Sequence, residues 1–261
     1  MAQTLQQRMI SYEESTSPKI ISRIPVIIKI DGRSFSRVTK SIQKPFCHKT
    51  MAILNGTMLS LVKKIDGAVF GYQYSDKIIL VLRNDRGEDE DPWFGNDVQA
   101  MCSASASMAT YEFMTQLWEI DQAPELEGDI SFKAKVFGIP NISEVINYII
   151  YKQYCCMQCA IDETVYSVIG RGAVLDGVDI EDRKRILDDA GVSLEELPAS
   201  FRHGSAVYLT PKLVHTAHGE VTHHKWWVDF EVPLFVEKKD REILRTILTT
   251  GSDIFRPERD L

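Results

Sequence analysis

The sequence lacks the features of a secreted or membrane-spanning protein. It has five cysteines in 261 residues, an odd number without the pattern of a disulfide framework. No run of about 18 apolar residues is present, so we expect no membrane span. The N-terminal segment has no apolar core of a secretion signal. We therefore expect a reducing compartment, the cytoplasm, and leave a mitochondrial location open.

Positive charge is also scarce. Lys and Arg total 30 against 37 Asp and Glu, which gives a net charge of −7. Bulk attraction to nucleic acid or to an anionic membrane is therefore not expected, and an RNA partner would need a local basic patch. Hydrophobic residues make up 44% and charged residues 26%, and this balance excludes a disordered tail or a fibrous repeat.

The first half of the chain alternates strand and helix patterns. The β-branched run Pro25–Ile30 predicts a first strand, and an apolar stripe over His48–Ile65 predicts a helix. The same patterns then predict strands at Ala68–Tyr72 and Ile78–Leu82, a helix at Trp93–Leu117 and a strand at Lys133–Phe137. This β-α-β-β-α-β order is ferredoxin-like, which places the protein in the α+β class.

The second half has no Gly/Ser-rich linker and reads as helices followed by a hairpin. Helices are predicted at Asn141–Met157 and at Ile180–Ala190. The hairpin pairs Ala206–Val214 with Val221–Phe230 and has His218-Gly219 at its turn. We therefore predict a catalytic core at residues 1–140. Residues 141–261 would form a helical and hairpin extension of the same globular unit.

Two aspartates stand where the predicted topology brings distant parts of the chain together. Asp31 ends the first strand, and Asp76 lies in the turn between the second and third strands. In a ferredoxin-like sheet the first and third strands are neighbours, so the two carboxylates meet at one edge. Their repulsion favours a cation between them, and two carboxylates with a backbone carbonyl suit Mg²⁺. The plainer interpretation is a capped turn and an ordinary hairpin acid.

The residues after Asp31 suit a phosphate. Gly32 lets the backbone approach a ligand closely. The backbone amides of Arg33–Phe35 offer donors, and Lys44 offers a mobile positive charge. Taken singly, Arg33 and Lys44 are ordinary surface charges, so their interpretation depends on the pair of aspartates.

Several short motifs, in order and spacing, resemble the tRNA-His guanylyltransferase family, most closely its bacterial-type guanylyltransferase-like branch of 3′-to-5′ polymerases. The resemblance extends from about Gln7 to Phe235 and rests on motifs of two kinds. The motifs around the aspartates are Asp31-Gly32-Arg33-Ser34-Phe35, Lys44-Pro45-Phe46 and Tyr74-Ser75-Asp76. The others are the small-residue run Ser103–Ala109, Phe201-Arg202-His203-Gly204 and Trp227–Pro233.

The resemblance implies a polymerase-like palm with a defined set of site residues. Asp31 and Asp76 would be catalytic and, with the Gly32 carbonyl, would bind two Mg²⁺ ions. The nucleoside triphosphate would be held by Gly32, Arg33, Ser34, Phe35, Lys44 and Ser75. Further candidates for contacts to phosphate or RNA are Lys29, Lys77, Lys152 and Arg202.

The resemblance also implies a reaction and partners. The enzyme would add nucleotides in the 3′-to-5′ direction to the 5′ end of tRNA or a tRNA-like RNA, as in 5′-end repair. ATP would activate a 5′-monophosphate, GTP or another nucleoside triphosphate would be added, and AMP or pyrophosphate would be released. A homotetramer is implied as well.

The sequence departs from the family pattern at several polar positions. Lys77 stands where the family usually has Glu, and Cys47 stands where it has an acid. The helix segment Lys152–Ala160 keeps only Lys152 and Gln153 of its motif. These departures keep a second hypothesis open, a catalytically weakened or inactive nucleotide- or RNA-binding relative. A third is a palm-type nucleotide cyclase, although the signature hairpin of dinucleotide cyclases is absent.

Overall fold

The computed structural model describes residues 4–85, 91–171, 174–216 and 219–252. The helices are α1 Leu5–Glu14, α2 Phe35–Val38, α3 His48–Lys64, α4 Val98–Glu119, α5 Ile142–Ile169, α6 Ile180–Asp189, α7 Ala199–His203 and α8 Lys238–Thr250. The strands are β1 Val26–Gly32, β2 Ala68–Tyr74, β3 Lys77–Leu82, β4 Phe132–Gly138, β5 Ser205–Thr216 and β6 Gly219–Asp229. Within these ranges no helix is long and apolar enough to cross a membrane.

The six strands form one sheet in the order β4-β1-β3-β2-β5-β6, and every neighbouring pair is antiparallel. Its first four strands have the ferredoxin-like order, so the predicted α+β class is confirmed. The hairpin β5–β6 joins the same sheet through β2. The division at residue 140 stays a prediction, and His218, expected at the hairpin turn, lies outside the described residues.

The sheet separates two apolar cores because successive side chains of a strand point to opposite faces. Val26 and Ile28 of β1 lie in the core that also contains residues of α3 and α4. Ile27 lies in the other core, with residues of α5 and α8. Lys29 and Asp31 follow Ile27 at two-residue steps, so the sheet places them on the α5 face.

Two predicted boundaries are wrong for local reasons. The helix expected to begin at Trp93 begins at Val98, because the Asp97 side chain caps it by accepting from the Ala100 amide at 2.8 Å. Before that cap, Phe94 and Gly95 have φ angles of 49° and 56°, which interrupt a helix.

The helix predicted to end at Met157 continues as α5 to Ile169. Its last third is stabilised by a small third core, in which Ile161 and Val165 pack with Leu187 of α6. This extra length matters for function, because the last three turns of α5 form one wall of the cleft described below.

A buried polar network holds the β2–β3 turn. The predicted five-residue connection is shorter in the structure, since β2 runs to Tyr74 and only Ser75 and Asp76 connect the strands. Gln73 is fully buried, and its amide nitrogen donates to the Ser75 carbonyl at 2.7 Å. The Ser205 hydroxyl lies 3.2 Å from the Gln73 carbonyl oxygen. The buried Gln73 side chain therefore anchors the turn.

Replacing Gln73 with Met tests this anchor. Met keeps the side-chain length but leaves the Ser75 carbonyl without its donor, so the free energy of unfolding should fall by about 1–3 kcal/mol. Urea denaturation followed by circular dichroism measures the change. The matched control is Gln6→Met on the exposed face of α1, which should stay within about 0.5 kcal/mol of the parent protein. Equal stability of both variants would contradict the anchor.

Candidate functional site

The sheet brings Asp31 and Asp76 to one edge. Asp31 pairs with Lys77 in the antiparallel register of β1 and β3, and Asp76 directly precedes Lys77 in the turn. The Gly32 amide donates to the Asp76 carbonyl at 3.0 Å and ties the end of β1 to this turn. The two carboxylates are largely sheltered, with side-chain exposures of 13% for Asp31 and 19% for Asp76. The predicted meeting of the two segments is thus present.

Each aspartate has a lysine beside it. The Lys29 ammonium lies 2.8 Å from an Asp31 carboxylate oxygen, and the Lys77 ammonium lies 2.5 Å from Asp76. Burial alone would lower the pKa of Lys77, but the charge and hydrogen bond of Asp76 outweigh it, and the pKa is raised above its ordinary value. The carboxylates therefore stay balanced by positive charge.

A third lysine near the aspartates, Lys152, comes from α5. The Lys152 ammonium of α5 lies over the rings of Tyr148 and Tyr151, 5.1 Å and 4.6 Å from their centroids. Burial lowers the pKa of Lys152, and the positive charges of Lys29 and Lys77 lower it further against the opposing effects of Cys155 and Asp31. The site thus has three positive side chains near two carboxylates, a local excess of positive charge that attracts anions.

The donor set at this edge fits Mg²⁺. Two carboxylates and the Gly32 carbonyl are oxygen ligands of the kind that Mg²⁺ prefers. No group of three or more His, Cys, Asp or Glu side chains that could hold a metal exists among the described residues. Water and substrate phosphates would therefore have to complete the coordination shell, as is usual for Mg²⁺.

A cleft of about 490 Å³ opens beside the Asp76 turn. Seven of the predicted site residues line it, and these are Gly32, Ser34, Phe35, Lys44, Ser75, Asp76 and Lys77. Part of its lining is aromatic, where the Phe46 and Phe201 rings pack edge to face with 5.5 Å between their centroids. A volume of this size accommodates a nucleotide-sized ligand.

The loop after Asp31 differs in detail from the expectation. A Cβ at Gly32 would lie 2.6 Å from the Phe35 ring, so the glycine is required by internal packing as well as by any ligand. The Arg33 amide donates to the Ser131 carbonyl at 2.8 Å, and Arg33 does not line the cleft. Its amide is thus not free for a phosphate. The amides of Ser34 and Phe35 make no hydrogen bond to described residues, so they remain available.

Four other predicted residues do not line the cleft. Asp31, Lys29 and Lys152 lie beside it, on the α5 face of the sheet. Arg202 also lies outside the cleft, and its guanidinium donates one hydrogen bond to the Leu197 carbonyl at 3.0 Å, so its contact to phosphate or RNA stays a prediction. The adjacent residue, Phe201, is the one that reaches the cleft.

Sequence reasoning missed the wall formed by α5. Glu163, Tyr166 and Arg171 all line the cleft and lie beyond the predicted end of the helix. The signal was present, because Ile161 and Val165 continue the apolar stripe at a helical spacing. A helix that ends at Met157 does not extend to these residues, so the sequence prediction does not place them at the site.

Comparisons with known proteins identify the family and the fold. The family model described as Thg1, tRNAHis guanylyltransferase, matches residues 6–140. No curated protein sequence matches the chain. A solved bacterial tRNA(His) guanylyltransferase (Thg1)-like protein in complex with ATP is 26% identical, with a TM-score of 0.79, over 95% of this chain and 100% of that one.

Two further structures support the same fold. The bacterial Thg1-like protein in complex with GTP is 26% identical, with a TM-score of 0.72 and the same coverage. The tRNA(His) guanylyltransferase of Saccharomyces cerevisiae is 18% identical, with a TM-score of 0.63 over 81% of this chain and 94% of that one. Since the family model matches more than half of the sequence, the chain belongs to the Thg1 family of tRNAHis guanylyltransferases, which are nucleotidyltransferases.

Proposed function

We propose that the protein is a Mg²⁺-dependent nucleotidyltransferase that adds nucleotides in the 3′-to-5′ direction to the 5′ end of tRNA or a tRNA-like RNA. The observation that carries the proposal is the convergence of Asp31 and Asp76 at one edge of the sheet, where Asp76 lines a nucleotide-sized cleft. Complexes of the bacterial relative with ATP and with GTP support both nucleotides as substrates here.

The lining of the cleft offers partners for both parts of a nucleoside triphosphate. The Lys44 and Lys77 ammonium groups and the amides of Ser34 and Phe35 suit the phosphates. The aromatic ring of Phe46 suits a base, and bases stack on aromatic rings with little sequence preference. The phosphates would lie beside Asp76, where the metal is proposed, and the base would lie against the aromatic ring.

The aspartates would hold Mg²⁺ with the Gly32 carbonyl, and the metal would supply charge stabilisation to the reacting phosphate. The 3′-hydroxyl of the incoming nucleotide would form a bond to the 5′ phosphorus of the RNA as the bond to AMP or pyrophosphate breaks. The role of the chain is to position these groups, because phosphoryl transfer depends on positioning and on electrostatic stabilisation. Lys29 and Lys77 would limit repulsion between the carboxylates before the metal and the phosphates arrive.

A basic strip next to the aspartates suits the RNA end. Lys133 and Lys135 of the edge strand β4 pair with Asp31 and Lys29 of β1, so their exposed side chains share that face of the sheet. They form a local positive surface on a chain of net charge −7, and the buried Lys152 adds positive charge near Lys29. RNA would then approach along β4 and place its 5′ end beside Asp31.

The homotetramer that the family resemblance implies is also part of the proposal. Measurement of the molecular mass in solution tests it.

The second candidate function is a weakened or inactive relative that binds nucleotide or RNA. The contact that favours it is the one between Lys77 and Asp76, because an ammonium at 2.5 Å competes with a divalent cation for the carboxylate. Family membership favours both of these functions over a nucleotide cyclase.

The Asp76→Asn variant tests the metal assignment. It keeps the shape of the side chain and removes its charge. Nucleotide addition to a 5′-truncated tRNA should fall by at least about 100-fold, because loss of a residue that only hydrogen-bonds to a metal ligand already reduces activity by up to about 100-fold. Gel analysis of end-labelled tRNA with Mg²⁺ and all four nucleotides measures it, on monophosphorylated and triphosphorylated ends. Asp66→Asn, at an exposed aspartate, is the control. Unchanged addition by Asp76→Asn would exclude the proposed role.

The Lys77→Glu variant distinguishes the active enzyme from the weakened relative. We expect Mn²⁺ to bind at least about tenfold more tightly, because an acid replaces a competing cation beside Asp76. We expect nucleotide addition to fall, because the cleft loses a contact to phosphate. Electron paramagnetic resonance measures the free Mn²⁺. A rise in addition would instead support the weakened relative.

The double variant Lys133→Gln, Lys135→Gln tests the RNA surface. Loss of two phosphate contacts should reduce the slope of log affinity for tRNA against log salt by about 2. Fluorescence anisotropy at several salt concentrations measures the slope, and the affinity for ATP should not change. The control is Lys238→Gln, Lys239→Gln at the exposed start of α8. Equal slopes for the two double variants would place the RNA elsewhere.

A further inference from the structure

Two positive side chains share one carboxylate across the cleft. A Glu163 oxygen on α5 lies 2.6 Å from the Arg171 guanidinium and 3.7 Å from the Lys44 ammonium. Lys44 comes from the loop before α3, whereas Glu163 and Arg171 come from α5 and the residues that follow it. All three line the cleft. The carboxylate therefore connects opposite walls of the proposed nucleotide site.

This carboxylate leaves one positive charge uncompensated. Burial lowers the pKa of Lys44, and the nearby positive charge of Arg171 lowers it further, while Glu163 opposes both effects. Asp162, the other acid on this wall, is paired with Arg183 of α6 at 2.5 Å. An anion with more negative charge than one carboxylate would satisfy both Lys44 and Arg171.

Arg171 is placed and pre-oriented for such an anion. Its guanidinium lies over the Tyr166 ring, 5.9 Å from the centroid, and Tyr166 also lines the cleft. Among the described residues it donates a single hydrogen bond, to Glu163, out of the five that a guanidinium can make. Its side chain is 42% exposed, so the remaining donors can reach a ligand. The planar fork of Arg matches two phosphate oxygens at once.

We propose that Arg171, together with Lys44, binds the phosphates of the nucleoside triphosphate that occupies the cleft, and that Glu163 is their exchangeable counter-ion when no nucleotide is bound. Nucleotide binding replaces the Glu163 carboxylate by phosphate oxygens at both positive side chains. Glu163 therefore competes with the nucleotide for Lys44 and Arg171, although Glu163 itself lines the cleft. This inference rests on the proposed nucleotidyltransferase function and adds a ligand that the family motifs quoted above do not include.

The proposal predicts opposite effects for two neighbouring substitutions. Arg171→Gln removes a phosphate ligand and should weaken ATP binding by about tenfold, the range of one charge-assisted hydrogen bond. Glu163→Gln removes the competitor and should tighten ATP binding severalfold. Arg171→Lys keeps the charge without the fork and should fall between Arg171→Gln and the parent protein. A purely structural ion pair would weaken binding in both Gln variants.

Isothermal titration of the full-length protein with ATP and, separately, with adenosine measures these effects. Adenosine lacks phosphate, so its affinity should not change in any variant. The control is Arg185→Gln, which removes the same charge from an exposed arginine of α6 that is paired with Asp182. Thermal unfolding of each variant verifies that it is folded, and Arg171→Lys provides a charge-conserving variant should Arg171→Gln unfold.

The outcomes separate this inference from the function on which it rests. Absence of ATP binding by the parent protein overturns the proposed function itself. ATP binding by the parent that Arg171→Gln and Arg171→Lys leave unchanged overturns the role of Arg171 alone. Weaker binding by Glu163→Gln overturns the counter-ion role. Weaker ATP binding by Arg171→Gln, with tighter binding by Glu163→Gln and an unaffected Arg185→Gln, supports the whole proposal.

Discussion

The antiparallel register of β1 and β3 is the constraint on which the site depends. It places Asp31 opposite Lys77 and thereby sets Asp76 at the same edge, 45 positions away in the sequence. A register shift of one residue would turn Asp31 to the opposite face of the sheet, since side chains alternate. The buried apolar residues of both strands fix that register, and the hydrogen bond from Gly32 to Asp76 ties its end. The register that buries the apolar residues is therefore the same one that positions the two aspartates.

Charge balance is the second theme of the site. At the edge of the sheet, each aspartate is paired with a lysine, Asp31 with Lys29 and Asp76 with Lys77. In the cleft, the Glu163 carboxylate lies between Lys44 and Arg171. In both places each charged side chain has a protein partner of opposite sign. Under the proposed function, binding of a metal or a phosphate would be an exchange of these partners. The desolvation cost of buried charge is thereby limited before binding.

The sequence predicted the parts of the fold that local patterns encode. The strand order of the palm and the meeting of Asp31 with Asp76 follow from periodicity and topology. The wrong start of α4 arose because an apolar Trp93-Phe94 resembles a helix stripe, whereas the Asp97 cap decides the boundary. A free Arg33 amide is predicted because sequence cannot show that this amide donates to the Ser131 carbonyl. Nor can sequence show that Arg202 lies outside the cleft. Glu163 and Arg171 could not be paired with Lys44 from sequence, since their contact depends on how α5 lies over the sheet.

The length of α5 has a mechanical consequence. Lys152 lies over the Tyr148 and Tyr151 rings, close enough to Asp31 to be affected by its charge, and Glu163 lines the cleft 11 residues further along the same helix. At 1.5 Å per residue the two positions are about 16 Å apart along the axis. A continuous helix is stiff over this distance, so α5 fixes the spacing between the surroundings of Asp31 and the wall of the cleft. A displacement of the helix at one of these positions is therefore transmitted to the other.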